Sequence, residues 1–261
     1  MFHTELVSVG SLDVQVSFAD VEAQTIEAYE RLASEYDSEE HATTRTLEQL
    51  GIDACADLIT GNPSITQAAR VLEVGCGTGA LSSLLLRTIS KGTEFVFLDA
   101  SASMLDAAKS RFASIGNQRL ISYVQASILS QNLDLSLGHF DVIASGLGDP
   151  YIIQPALANI RRYCARDAYF IATLPSREWA VAERQFRLKV PLTRTRFKLI
   201  SGEVVEPFSF TYAEDELHHL LSKEGFQVLK TVSKTGILSR KQNADGTLLP
   251  PGVLGVLARA I

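Results

Sequence analysis

The chain predicts an α/β fold built on a parallel sheet, and three observations carry that expectation. Apolar runs of strand length alternate with helix-compatible segments between residues 71 and 175. The first run, Val71–Val74, opens into a loop with glycine at alternate positions: Gly75, Gly77 and Gly79. The second, Phe95–Leu98, ends in an acid, Asp99. Parallel strands joined by crossover helices require such alternation. A glycine loop between strand and helix lets a ligand approach the backbone and meet the free N–H groups of the new helix. An acid ending the second strand is placed to accept hydrogen bonds from both hydroxyls of a ribose.

Glu73 sits inside the first apolar run, where a carboxylate is costly without a partner. A cationic ligand group, or the loop's own donors, would supply one. Gly75-x-Gly77-x-x-Ala80 also satisfies the loose dinucleotide fingerprint of nicotinamide enzymes. Glu73 would meet a pyrophosphate with the wrong sign. Asp99 is followed by Ala100-Ser101-Ala102-Ser103-Met104-Leu105. With Glu73, Gly75, Gly77, Gly79, Asp99, Ser101, Met104 and Leu105 in these places, the sequence resembles the class I S-adenosylmethionine-dependent methyltransferases. Their pattern is an acid, Gly-x-Gly-x-Gly, then an apolar strand ending Asp-x-Ser-x-x-Met-Leu.

The resemblance implies a three-layer, Rossmann-like seven-stranded sheet with helices on both faces. It implies one domain: a helical N-terminal cap over 1–60, a cofactor-binding core over 61–183, an inserted β-hairpin lid over 184–212, and a C-terminal helix with closing strands over 213–261. S-adenosylmethionine is the implied cofactor and S-adenosylhomocysteine the product. The reaction implied is in-line transfer of a methyl group to an O, N or C atom of a small molecule. Glu73, Gly75, Cys76, Gly77 and Gly79 would hold the methionine end, and Asp99, Ala100 and Ser101 the ribose. Met104, Ala126, Ser127 and Ile128 would surround the adenine, with Ser145, Gly146 and Leu147 beside the sulfonium. Family members usually carry an acid where Ser127 stands, and a hydroxyl accepts more weakly than a carboxylate. Two other readings stay open: a nicotinamide-dependent oxidoreductase, and a non-catalytic S-adenosylmethionine-binding protein.

With 261 residues the chain can bury a large core. Its net charge of −6 argues against a nucleic-acid partner. No apolar run approaches a membrane span, and no basic segment leads into an apolar core at the start, so no membrane and a cytoplasmic location are expected. Cys55, Cys76 and Cys164 are odd in number and widely spaced, with no zinc pattern, so no metal is expected and a reducing compartment is the default. Cys76 reads as a small filler of the loop. The sequence allows a monomer or a homodimer.

In chain order, Leu12–Phe18 alternates as a short edge strand would. Residues 21–60 read as helix, with a second stretch from Thr43 to Leu58 broken near Gly51. Ala28–Asp37 resembles the Tyr-Asp-x-x-Ala-x-x-Tyr-Asp segment many small-molecule methyltransferases carry ahead of the core. That implies roles for Tyr29 and Tyr36 over cofactor and acceptor; alternatively they only pack the helix. His41 is a candidate acceptor-side base, though exposure on the helical lead-in is the expectation. Further strands are expected at Leu120–Val124, Phe140–Ser145 and Tyr169–Pro175. Asp149-Pro150-Tyr151 follows the fourth strand. Asp149 is expected to cap a helix Ile152–Tyr163, with Tyr151 a candidate for the acceptor pocket.

Ser176–Leu188 reads as helix. Arg196–Ile200 and Val204–Phe210 read as a hairpin around Ser201-Gly202-Glu203. Arg184, Arg187, Lys189, Arg194, Arg196 and Lys198 make this the most basic stretch. It is expected to be a solvated face, the alternative being a rim for an anionic acceptor. Ala213–Glu224 is helical up to Gly225, and Phe226–Val232 with Gly252–Ala258 close the sheet, with Asn243–Gly246 and Pro250–Gly252 bounding the loop between.

Overall fold

Strand β3 (Arg70–Val74) is an interior strand of a seven-stranded sheet, and its side chains show why it can be. Val71 and Leu72 point to opposite faces, each into its own apolar cluster. A strand buried on both faces must read as a continuous apolar run, as this one does apart from Glu73. The remaining strands are β4 (Glu94–Asp99), β5 (Leu120–Gln125), β6 (Phe140–Ser145), β7 (Cys164–Pro175), β10 (Phe226–Thr235) and β11 (Gly252–Ala260). Their order is β10-β11-β7-β6-β3-β4-β5. The five strands from β7 to β5 are parallel neighbours, and β11 is antiparallel to both β7 and β10. The chain runs outward from β3 through β4 to β5, then returns to the other side of β3 at β6. A crevice opens at that reversal, outside the carboxyl ends of β3 and β6.

This computed structural model describes residues 7–9, 12–14, 17–114, 119–130, 133, 136–236 and 250–261. The loop expected at Asn243–Gly246 lies outside them. One sheet face is covered by α2 (Ala42–Ile59), α4 (Ala80–Thr88) and α5 (Ala102–Phe112), through Cys55, Leu58, Leu85, Leu105 and Phe112. The other is covered by α6 (Gln154–Tyr163) and α8 (Glu214–Lys223), through Leu157, Ile160, Leu217 and Leu221. Gly225, at φ +80°, ends α8 as a C′ glycine.

The cap and lid meet each other. Helix α1 (Phe18–Leu32) places Ala28 and Leu32 against Met104 of α5 and against Phe197, Leu199 and Val205. The last three belong to or flank the hairpin β8 (Phe197–Lys198) and β9 (Val204–Val205). Before the hairpin, α7 (Arg177–Val181) continues into a π-helix over Ala182–Leu188.

Several expectations are corrected. Leu12–Val14 pairs with Val7–Val9 as a separate two-stranded ribbon, not as a sheet edge (β2 and β1). Helix α2 runs unbroken through Gly51. That glycine is buried, and a Cβ there would stand 3.1 Å from Thr173 Oγ1, so glycine permits close packing on β7. Strand β7 begins five residues before Tyr169, at Cys164, and the irregular turn survives as a register shift opposite Phe140/Val142 with Asp167 at φ +60°.

Asp149 caps no helix. It lies in a 3₁₀ turn, Asp149–Tyr151, with no side-chain cap bond, and α6 starts at Gln154. Its carboxylate instead accepts from the Ser209 hydroxyl, and Ser209 in turn accepts from Arg184. Arg184 Nη2 is 4.0 Å from Asp149 Oδ2, and Nη1 donates to the carbonyls of Leu192 and Ser209, both at 2.7 Å. Arg184 is buried, so the basic stretch is not solvated throughout. Arg187 pairs with Glu183, Arg196 with Glu206, and Arg194 stacks on Phe208.

Breaking a buried pair strands a charge. Arg184→Met is therefore expected to cost about 3 kcal/mol of stability at pH 8. The urea midpoint should fall with the slope of the transition unchanged. An unmoved midpoint would mean that this contact does not hold the lid.

Candidate active site

The glycine loop after β3 is held by the end of β4. Leu98 O accepts from Gly75 N at 2.8 Å and Cys76 N at 3.1 Å. Asp99 Oδ2 accepts from Gly77 N at 2.8 Å, and Oδ1 from Ser101 N at 2.9 Å. Ser101 caps α5, its hydroxyl accepting from Met104 N at 3.1 Å. Gly75, Gly77 and Gly79 have φ of +66°, +52° and +90°, a region open to glycine at little cost.

The three glycines do different work. A Cβ on Gly75 would overlap the Tyr151 ring, and one on Gly79 would overlap Phe112. A Cβ on Gly77 would meet no protein atom within 4 Å. Only Gly77 therefore keeps open space in front of it, and that space belongs to a cavity.

This cavity holds about 700 Å³ of atom-free space, its open mouth included. Of the residues expected at the site, Glu73, Gly75, Cys76, Gly77, Asp99, Met104, Gly146, Leu147, Tyr29, Tyr36 and Tyr151 line it. Gly79, Ala100, Ser101, Ala126, Ser127, Ile128 and Ser145, expected at the site, do not line it. Ala126 N donates to Asp99 O, Ser127 Oγ accepts from Leu129 N, and Ser145 Oγ donates to Val74 O. Ile128 is buried in the sheet-face core. Glu48, Gly51 and Ile52 of α2, with Thr78, Ala80, Leu81, Pro150 and Thr173, complete the wall and were not expected there. Their signal was the spacing of Glu48, Gly51 and Ile52, which puts them on one helical face.

The wall is acidic. Glu73 is buried and accepts from Ser82 Oγ at 2.5 Å. Burial pushes its carboxyl up to about 8, against the Ser82 hydrogen bond and aided by the nearby Asp99 charge. Burial likewise pushes Asp99 to about 6, although the Ser101 and Gly77 amides pull it down. Burial holds the Cys76 thiol well above its ordinary range, which removes it as a thiolate nucleophile and agrees with a filler role. No Lys, Arg or His lines this cavity among the described residues. Its chemistry therefore suits a ligand carrying positive charge, hydroxyl donors and a flat apolar group. A sulfonium nucleoside fits that set.

A second cavity, about 1170 Å³ with its mouth, shares Tyr29, Tyr36 and Leu147 with the first. Phe197, Trp179 and His41 add aromatic surface, and Asp149, Arg184, Arg187, Arg196 and Lys198 add charge. Tyr29 and Tyr36 meet edge to face at 6.1 Å between ring centres. His41 is buried, not exposed: it packs 5.7 Å from Phe197, with Nε2 4.0 Å from Glu35 Oε2. The lid accounts for this, since Ile200 N donates to Glu35 at 2.7 Å and closes over the histidine. His218 and His219 gather no metal set; no cluster of potential metal ligands occurs among the described residues. No helix among them is long and apolar enough to cross a membrane.

Comparison with known proteins agrees with this geometry. Residues 71–167 match the family described as "Methyltransferase domain". A malonyl-[acyl-carrier protein] O-methyltransferase of Magnetococcus marinus is 33% identical over 101 residues, covering 39% of this chain and 35% of that protein. A probable protein arginine N-methyltransferase 3 of Oryza sativa subsp. indica is 28% identical over 113 residues, covering 38% of this chain and 18% of its own length. The chain thus spans about a third or less of these curated relatives. The solved DhpI-SAM-HEP complex superposes with a TM-score of 0.63 at 18% identity, covering 90% of this chain and 98% of that one, a likeness of fold. Residues 71–167 thus match a methyltransferase domain, and the chain as a whole is similar in fold to S-adenosylmethionine-dependent methyltransferases.

Proposed function

We propose that this protein transfers a methyl group from S-adenosylmethionine to a small molecule held in the second cavity. One observation carries the reading: two cavities of different chemistry share a wall of Tyr29, Tyr36 and Leu147. When bound, the cofactor supplies a methyl group on positive sulfur, with a neutral thioether as leaving group.

The chain's own residues have the remaining tasks. Gly77 leaves room for the ligand at the loop, and Asp99 is placed to accept from ribose hydroxyls. Met104 offers an apolar surface to a base. Gly146 and Leu147, at the end of β6, stand where the two cavities meet. Tyr29 and Tyr36 exclude water from that point. Burial holds both phenols well above their ordinary range, so they serve as neutral walls and hydroxyl donors, not as bases. Alignment of donor and acceptor in such a site is worth several kcal/mol, about 7–11 in well-oriented reactions.

Incubation with methyl-labelled S-adenosylmethionine and a panel of small hydroxy, amino and carboxylic acids should yield labelled product. The label should fall at least about tenfold when Leu147→Trp closes the shared wall. Label transferred equally well by that variant would place the acceptor elsewhere.

Asp99→Ala should weaken S-adenosylhomocysteine binding by about tenfold or more, measured by calorimetry. Unchanged affinity would remove Asp99 from the site.

Burial favours the protonated forms of Glu73 and Asp99 whereas a cationic ligand favours the ionised ones, so binding releases protons and tightens as pH rises. S-adenosylmethionine should bind more tightly at pH 8 than at pH 6. Glu73→Gln should flatten the upper part of that rise. A wild-type affinity that is flat across this window would contradict it.

A further inference from the structure

The carboxylates of the cofactor cavity are not equally available. Both Asp99 oxygens already accept backbone N–H groups, from Gly77 and Ser101, and the acceptor sites left on them are the ones assigned above to the ribose hydroxyls. Glu73 is almost fully buried and bonded to Ser82. Glu48 differs. It projects from α2 into the same wall, opposite Cys76, Gly77 and Thr78, with about a fifth of its side chain exposed. Its hydrogen-bond partner among the described residues is Arg45, whose Nη1 donates to Oε2 at 2.6 Å.

Arg45 is itself fixed. Its Nη1 also donates to Asp37 Oδ1 at 2.7 Å, and its guanidinium stacks 4.8 Å from the Tyr36 ring centre. Asp37 accepts from Thr78 Oγ1 at 3.0 Å, so the group is bolted to the glycine loop. One guanidinium is therefore divided between two carboxylates. A carboxylate offers about four lone-pair sites, and Glu48 retains capacity on its cavity side. Burial raises the Glu48 carboxyl above the usual range even against Arg45, with the Asp37 charge adding to the rise.

We propose that Glu48 binds the α-ammonium group of the cofactor's methionine tail, and that Arg45 is the positioning residue that aims it. The inference rests on the cofactor reading above. An i,i+3 ion pair that merely decorated a helix would need no place in the cavity wall and would discriminate between no ligands.

Three probes separate the possibilities: S-adenosylmethionine, S-adenosylhomocysteine and 5′-methylthioadenosine, which lacks the amino-acid head. Each is titrated calorimetrically into the wild type, Glu48→Gln and Glu48→Asp, with thermal unfolding as the check on folding. Glu48→Gln should weaken both headed ligands by about tenfold or more and leave methylthioadenosine unchanged. Glu48→Asp, which keeps the charge on a shorter stem, should fall between. A loss confined to S-adenosylmethionine would place Glu48 at the sulfonium and overturn the proposal. Equal loss for all three ligands, or no loss, would overturn it as well. A wild type that binds none of the three would instead defeat the cofactor reading itself.

Discussion

The site is governed by an electrostatic imbalance. Glu48, Glu73 and Asp99 face one cavity, and no cationic side chain lines it among the described residues. Burying carboxylates costs free energy unless something compensates. The fold compensates only in part, with a serine hydroxyl for Glu73, two amides for Asp99 and a shared guanidinium for Glu48. Burial accordingly raises all three carboxyls above their ordinary range. A ligand that brings its own positive charge closes the gap. The same incompleteness accounts for preference among ligands: a nicotinamide dinucleotide would add negative phosphates to an already negative wall.

The parts of this arrangement that could be read from the sequence are those encoded in neighbouring residues. Val71–Gly79 specifies strand, turn and helix start through local apolarity and glycine conformation, and β3 and α4 fall there. Asp99 at the end of a strand is likewise a short-range signal. The separate jobs of the three glycines were not legible. Tyr151 and Phe112, distant in the chain, decide which missing Cβ matters. Gly51 was misread for the same reason. Its helix-breaking tendency costs about 1 kcal/mol relative to alanine, and close packing on Thr173 and Leu147 outweighs it.

Asp149 and His41 show a second kind of failure. Each was judged from its immediate surroundings, a turn before a helix and a polar lead-in. Each is governed by residues 35 or more positions further along the chain. Ser209 and Arg184 claim Asp149, and Phe197 with the Ile200 amide closes over His41 and Glu35. Of the basic stretch that suggested an anion rim, Arg184 is spent on this internal pairing, whereas Arg187, Arg196 and Lys198 line the second cavity. Charge in a sequence window reports composition, whereas a folded rim depends on which of those charges remain unpaired.

The lid contacts also link the two cavities mechanically. Asp149 is bonded to the lid through Ser209, and two residues later Tyr151 lies against Gly75 in the loop wall. Asp37 is bonded to Thr78 of the same loop, and Tyr36, its neighbour in the chain, forms part of the shared wall. Cap, lid and glycine loop therefore meet at the boundary where a methyl group would cross. Packed and bonded groups thus connect Ser209 to the 3₁₀ turn that seats Tyr151. What sets the alignment is the rigidity of β3, β4 and β6; what closes it is chain from outside the parallel core. The family match, residues 71–167, falls within that core.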